Sequence, residues 1–200
     1  MSLESLTIAV VTLSPPILFL YLYTGDHERE FMHNKMMLYM AMGLILGTVF
    51  WTIERLYFAL YLLIFIAFLE QLTKSIILNR KQIQGKRSAI WYGSAMGFVM
   101  GAIMVSEMMY ASYVVSGIDS WSIVSFFGLA SSYSALHGST GALIGYGSYK
   151  NQLWRYLFKA YFIHVLFILI LFLGLYPPLI LILLLLYSMF NMVRVYRMLE

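Results

Sequence analysis

No cysteine occurs anywhere in the 200 residues, which excludes disulfides, thiolate metal sites and a cysteine nucleophile and leaves the redox compartment open. Charge is scarce as well: Asp, Glu, Lys and Arg make up 11% of the chain, against 62% hydrophobic residues. So little charge cannot clothe a soluble domain, and the composition places the chain among membrane proteins. Proline is limited to two adjacent pairs, Pro15-Pro16 and Pro177-Pro178. No HExxH is present, which removes the helical zinc-protease motif. The opening Met1-Ser-Leu-Glu has no basic n-region, so the first apolar run is expected to stay in the mature protein rather than to be cleaved as a signal peptide. No linker, low-complexity tract or transit peptide is recognisable, and residues 1–200 read as a single transmembrane domain.

What is present is a series of long apolar runs. Crossing a hydrocarbon layer of about 30 Å takes roughly 20 helical residues, and the runs predict seven spans at 2–23, 36–53, 57–78, 89–114, 121–147, 154–174 and 177–193. The expected fold is an all-α polytopic membrane helix bundle. Lys and Arg sit mostly at one side of it. Arg29, Lys35, Arg80, Lys81, Lys86, Arg87, Lys150, Arg155, Arg194 and Arg197 fall in alternate loops and the tail, and the opposite side has Arg55 alone. By the positive-inside rule the N-terminus is expected outside and the C-terminus in the cytoplasm. These basic residues lie at helix ends with no domain to present them, so no nucleic-acid partner is expected. The lipid bilayer is, and the basic loop 79–87 is suited to anionic headgroups.

Within the apolar runs a few polar groups stand out, because a charged side chain at bilayer depth costs about 3 kcal/mol and needs a partner or a wet cavity. The segment Phe68 to Lys74 reads FLEQLTK. Its Glu70 and Lys74 are four residues apart on one helical face, where the ammonium can neutralise the acid; alternatively Glu70 is a buried general base. Glu107, His137 and His164 are the other polar groups deep in predicted spans. Counting about 1.5 Å per residue from the outer boundaries puts Glu70 about 18 Å deep, Glu107 about 11 Å, His137 about 24 Å and His164 about 15 Å. A lone intramembrane histidine is as often a packing residue as a working one.

The remaining signals are structural. Gly43 and Gly47 permit a close helix contact, as do Gly93, Gly97 and Gly101 in the fourth span. Glu107 lies roughly 120° round the helix from that stripe, at about 100° per residue, and faces elsewhere. Gly141 and Gly145 share a face with His137 and predict either open space or a close neighbour there. Pro15-Pro16 is expected to bend the first span. The serines of span five are expected to bond backbone carbonyls. His27 and His33 read as surface residues, Glu54-Arg55 as an interfacial ion pair, Pro177-Pro178 as a helix start, and the seventh span as lipid-facing scaffold.

These residues resemble a known superfamily, the one that joins the PrsW proteases, the CAAX-processing proteases and the Aph subunit of γ-secretase. The proteases carry paired glutamates followed by a basic residue, where this chain has Glu70-Gln71-Leu-Thr-Lys74; an acid or histidine in the next helix, where Glu107 falls; and later histidines. The segment His137-Gly-Ser-Thr-Gly-Ala-Leu-Ile-Gly145-Tyr146 is similar to the PrsW histidine segment. The Aph resemblance covers nearly the whole chain, with seven spans, Gly25-Asp26 after the first, the glycine stripe of the fourth, and histidines like His137 and His164. Two departures are plain. Gln71 replaces the second glutamate and cannot ionise, and Ile168 stands where CAAX proteases have an asparagine four residues after the later histidine.

The resemblance implies an intramembrane glutamic-type protease in a prokaryotic plasma membrane, acting on a membrane-protein substrate. In that reading Glu70 is the base that activates water, Glu107 its partner in positioning the water, and His137 and His164 donors to the oxyanion or orienting groups, with Gln71 and Lys74 supporting. A second reading is a non-catalytic scaffold for a partner subunit, like the Aph subunit. A third is a zinc site made by Glu70, Glu107, His137 and His164; no other cofactor is expected.

Overall fold

The computed structural model describes residues 3–25, 27, 32–57, 59–117, 119–173 and 177–199. Among them the chain forms seven α-helices: α1 (Leu3–Thr24), α2 (His33–Leu56), α3 (Leu60–Leu78), α4 (Ser88–Ser116), α5 (Ser120–Tyr149), α6 (Leu153–Leu171) and α7 (Pro177–Leu199). Asp26 and Arg29, which the sequence places in the first loop, lie outside the described residues. Six of the helices, all but α5, are long and apolar enough to cross a membrane. The protein is an integral membrane helix bundle.

The exception explains the architecture. α5 is 30 residues long, about 45 Å at helical rise, yet it is rich in Ser and Gly and, unlike the other six, holds no stretch apolar enough to cross a membrane. Beyond its first turns, where Trp121, Val124 and Phe127 are exposed, it does not need to be apolar, because α1, α3, α4, α6 and α7 pack against it. From Ala130 to Ile144 it is buried without interruption. Two of its serines turn inward on the helix itself, Ser131 donating to Phe127 O at 2.9 Å and Ser132 to Gly128 O at 2.8 Å, whereas Ser134 Oγ is buried without a partner. Asp119 starts the helix, its carboxylate accepting from the Ser122 hydroxyl at 2.5 Å and the Ser122 backbone N–H at 2.7 Å. Those two bonds hold the exposed Asp119 carboxyl below the usual range.

α4 lies against α5 along a seam of glycines. At Gly93 the α4 backbone meets Gly141 O, at Gly97 it meets His137 O, and at Gly101 it meets Tyr133; a Cβ at any of the three would collide with backbone. Gly141 and Gly145 make the reciprocal approach to Gly93 and Ala89. The face that His137 shares with these glycines is therefore occupied by a close neighbour and is not open. Gly43 and Gly47 do the same for α2, against Met96 and Met100 of α4. α2 rests chiefly on α4 and only lightly on α3.

α1 runs through Pro15-Pro16 as one helix from Leu3 to Thr24. Two expectations change in the fold. α7 is more than lipid-facing scaffold: Leu184, Met192, Val195 and Tyr196 are buried, and Tyr196 donates to Ser94 Oγ of α4 at 2.7 Å. Its buried face comes from the spacing of these residues at helical period. His27 is not a simple surface residue either, because its ring stacks on Trp91 at 4.2 Å between centroids. That stack joins an aromatic cluster at the basic end of the bundle, in which Tyr196 also meets Tyr23 at 4.1 Å and Tyr39 stacks on Tyr92 at 4.8 Å.

The seam makes a direct demand on residue size. Gly97→Ala forces α4 and α5 apart and should cost about 1–3 kcal/mol, read as a lower melting temperature in detergent, whereas Gly25→Ala, with nothing within 4 Å of its Cβ, should leave it unchanged. Equal stability of the two variants would contradict the packing described.

Candidate functional site

Glu70 lies in the middle of α3, about 15 Å from the start of the helix and about 12 Å from its end at 1.5 Å per residue. The helical repeat puts Glu70, Gln71, Lys74 and Ser75 on the face that α3 turns to α5 and α6, and all four are buried. α5 brings His137 and Thr140 to this face, and α6 brings His164. Glu70, Gln71, Lys74, His137 and Thr140 are each 0% exposed and His164 is 3% exposed.

The ion pair is made within α3. Lys74 Nζ donates to Glu70 Oε1 at 2.6 Å, and it reaches Thr140 Oγ1 at 3.4 Å. Two enclosed charges are tolerable only when each has a counter-ion and hydrogen bonds, and Oε1 has both. Gln71 Nε2 donates to it at 3.0 Å, and His137 Nδ1 lies 2.9 Å away. Oε2 is different. It has no hydrogen-bond partner, and the nearest group of the site is His164 Nδ1 at 3.5 Å.

These distances assign the two imidazoles to opposite tautomers. His137 Nδ1 lies 2.9 Å from Glu70 Oε1, which only accepts, and 3.2 Å from Lys74 Nζ, which only donates; the shorter contact assigns the proton to Nδ1 and a lone pair to Nε2. An amide nitrogen only donates, so His164 Nδ1, 2.9 Å from Gln71 Nε2, is the acceptor and its Nε2 carries the proton. The rings meet edge to face with centroids 5.1 Å apart. Of the residues in this cluster, Glu70 Oε2, Gln71 Oε1 and His137 Nε2 are buried without a partner. All three are acceptors in this assignment. Buried acceptors left unpaired cost free energy, and they favour a small donor such as water among them.

Glu70, His137 and His164 also offer one donor atom each within 4.8 Å of one another, a set that can hold a metal ion. The ammonium of Lys74, 2.6 Å from Glu70 and 3.2 Å from His137 Nδ1, already provides positive charge on that side of the set.

Glu107 is not brought to this group. Gly97 packs at the level of His137, and Glu107 is ten residues further along α4, about 15 Å at helical rise. It is partly exposed and makes no hydrogen bond or ion pair among the described residues. The carboxyl that does face the site is Glu54. A cavity of about 260 Å³ between α2, α3 and α6 is lined by Glu54, Arg55, Tyr133, His164 and apolar side chains including Leu63 and Phe167. The ion pair expected between Glu54 and Arg55 is not formed among the described residues. Neighbours in sequence on a helix point about 100° apart, and the two side chains border the cavity without meeting.

Sequence reasoning passed over Glu54, Tyr133 and Thr140. For the last two a signal existed, because Tyr133 is four residues before His137 and Thr140 three after it, on one helical face. For Glu54 there was none, since an acid beside an arginine at a helix end has the same appearance in either role. Compared with family models, curated proteins and solved structures, the chain matches none.

The buried pair should behave as one unit in a double-mutant cycle. Glu70→Gln and Lys74→Met each leave an uncompensated charge and should cost about 3–5 kcal/mol; the double variant should cost much less than their sum when unfolding is followed by denaturant in detergent. Additive losses would mean that the two charges are not paired.

Proposed function

We infer that the chain is an intramembrane protease of the glutamic type, which hydrolyses peptide bonds of membrane-embedded proteins. The observation that carries this reading is the buried Glu70, held by Lys74 and Gln71 between two histidines of opposite tautomer, with His164 on the wall of a cavity. Peptide hydrolysis needs a base to take a proton from water and a donor to hold the oxyanion. Glu70 Oε2 and His137 Nε2 are the unpaired acceptors suited to the first task, and His164 Nε2–H is suited to the second. Lys74 and Gln71 fix the carboxylate through Oε1, which keeps Oε2 available.

The second acid of this reading is Glu54 rather than Glu107. Glu54 shares the cavity with His164 and Tyr133. With Gln71 unable to ionise, it supplies the second carboxyl near the reacting groups. The light contact between α2 and α3 gives a helical substrate an entry from the lipid side. The sequence resemblance to PrsW and CAAX proteases supports the same reading and a prokaryotic plasma membrane as its place. All seven helices then span the bilayer, with the basic end in the cytoplasm.

The scaffold reading has one observation in its favour. The Lys74–Glu70 pair is fully enclosed, and the same hydrogen bonds that would orient a base also tie α3 to α5 and α6. A zinc-dependent protease is less well supported, because Lys74 occupies one side of the ligand set.

Cleavage of a transmembrane reporter by the reconstituted chain separates these readings. Cleavage is expected from the wild type or, where Gln71 has silenced it, from Gln71→Glu, with loss of at least about a thousandfold on Glu70→Gln in the same background. Survival of cleavage after Glu70→Gln removes the glutamic mechanism. Silence of both forms, with a membrane partner that loses stability without this chain, establishes the scaffold. The absence of native cysteine allows single cysteines at Ser116 and Lys150 to report orientation in the same vesicles. Labelling of both from one side would contradict the seven-span topology.

A further inference from the structure

A second cavity, of about 470 Å³, opens towards the basic end of the bundle. Its size falls within the range of small-molecule pockets, roughly 300–1,000 Å³. Two helix faces build it over α5. α6 contributes Lys159, Phe162 and Ile163, and α7 contributes Asn191, Arg194, Val195 and Met198, each set at helical spacing, with Leu143 of α5 beneath. Tyr187, one turn before Asn191, donates to Ile163 O at 2.8 Å and ties the two helices together on the membrane-interior side. Beyond that tie, towards the basic end, lies the cavity.

The polar groups are arranged at one level. Lys159 is six residues inside the start of α6, about 9 Å, and Arg194 five residues before the end of α7, about 8 Å. Both side chains are exposed, and neither makes an ion pair among the described residues. The contact recorded for Lys159 is with the Tyr156 ring, 4.8 Å from its centroid, which carries no net charge. Asn191 is 5% exposed and turns its amide N–H groups to Tyr187, bonding Tyr187 O at 2.8 Å, which leaves its carbonyl oxygen for another group. Cations one to two turns inside the ends of apolar helices sit where phosphates of a lipid leaflet lie, and long basic side chains extend to that level.

We propose that this cavity binds an anionic phospholipid, with its phosphate between Lys159 and Arg194, its glycerol and ester region at Asn191, and an acyl chain against Phe162, Ile163 and Met198. Charge and shape argue together. The two cations call for an anion, and the apolar floor of Leu143, Ile163 and Val195 would be a poor surface for a free phosphate. A zwitterionic lipid offers the same chains but adds a cation to a site that already holds two. This site is independent of the reaction assigned to Glu70.

The test uses the full chain in mixed micelles with equal phosphatidylglycerol and phosphatidylcholine, and counts bound lipid by native mass spectrometry. The wild type should retain phosphatidylglycerol in preference, and the Lys159→Gln/Arg194→Gln variant should retain it less by on the order of tenfold. A control, Lys150→Gln/Arg155→Gln, removes two other cations of the same end and should retain it. So should Lys159→Arg/Arg194→Lys, which keeps both charges. Inorganic phosphate at millimolar concentration should leave the lipid in place; displacement by phosphate alone would make this a free-anion site and overturn the lipid assignment. Equal retention by the wild type and the glutamine variant, or no preference over phosphatidylcholine, overturns the proposal as well.

Discussion

An ammonium and a carboxylate 2.6 Å apart in the middle of an apolar helix set the terms for the rest of this bundle. Neither charge is stable at that depth alone, and the pair is stable only if further donors and acceptors enclose it. α3 supplies Gln71 from its own turn, but its remaining partners must come from outside. They come from α5, a helix too polar to face lipid over its whole length, and from one histidine of α6. The polarity of α5 and the burial of Glu70 are thus two sides of one arrangement, in which polar groups satisfy each other inside a ring of apolar helices.

The glycine seam decides how well that arrangement is held. Gly93, Gly97 and Gly101 bring the α4 backbone directly onto α5 at Gly141, His137 and Tyr133. The contact at Gly97 falls on the carbonyl of His137 itself, so the position of the imidazole relative to Glu70 depends on a helix that contributes no side chain to the cluster. A stripe that looks like packing alone therefore acts on the site through backbone placement.

Much of this was legible in the sequence, and the reasons differ by residue. Six of the seven helices follow apolar runs of the length a bilayer dictates. The pairing of Glu70 with Lys74 follows from four-residue spacing, and the glycine contacts from small residues at helical period. The meeting of Glu70 with His137 and His164 was expected from polar groups that need partners at depth, and the structure brings those three together. Glu107 was expected with them. It is an acid in the right helix at the wrong height, and height depends on how α4 is staggered against α5, which no local pattern encodes. Glu54 was hidden for a related reason. Its neighbour Arg55 suggested a surface ion pair, and only the packing of α2 on α4 shows that Glu54 borders the cavity.

What distinguishes a poised centre from a set of mutually satisfied packing groups is the location of protons. The shorter of its two polar contacts puts the His137 proton on Nδ1, towards Glu70, and the Gln71 amide puts the His164 proton on Nε2, so that one ring presents a base and the other a donor. Nitrogen chemical shifts of the protein with ¹⁵N-labelled histidine in lipid, assigned through His137→Gln and His164→Gln, measure this directly. The account predicts two neutral imidazoles of opposite tautomer, with the His137 Nε2 unprotonated. Two rings of the same tautomer, or an imidazolium at His137, would contradict it.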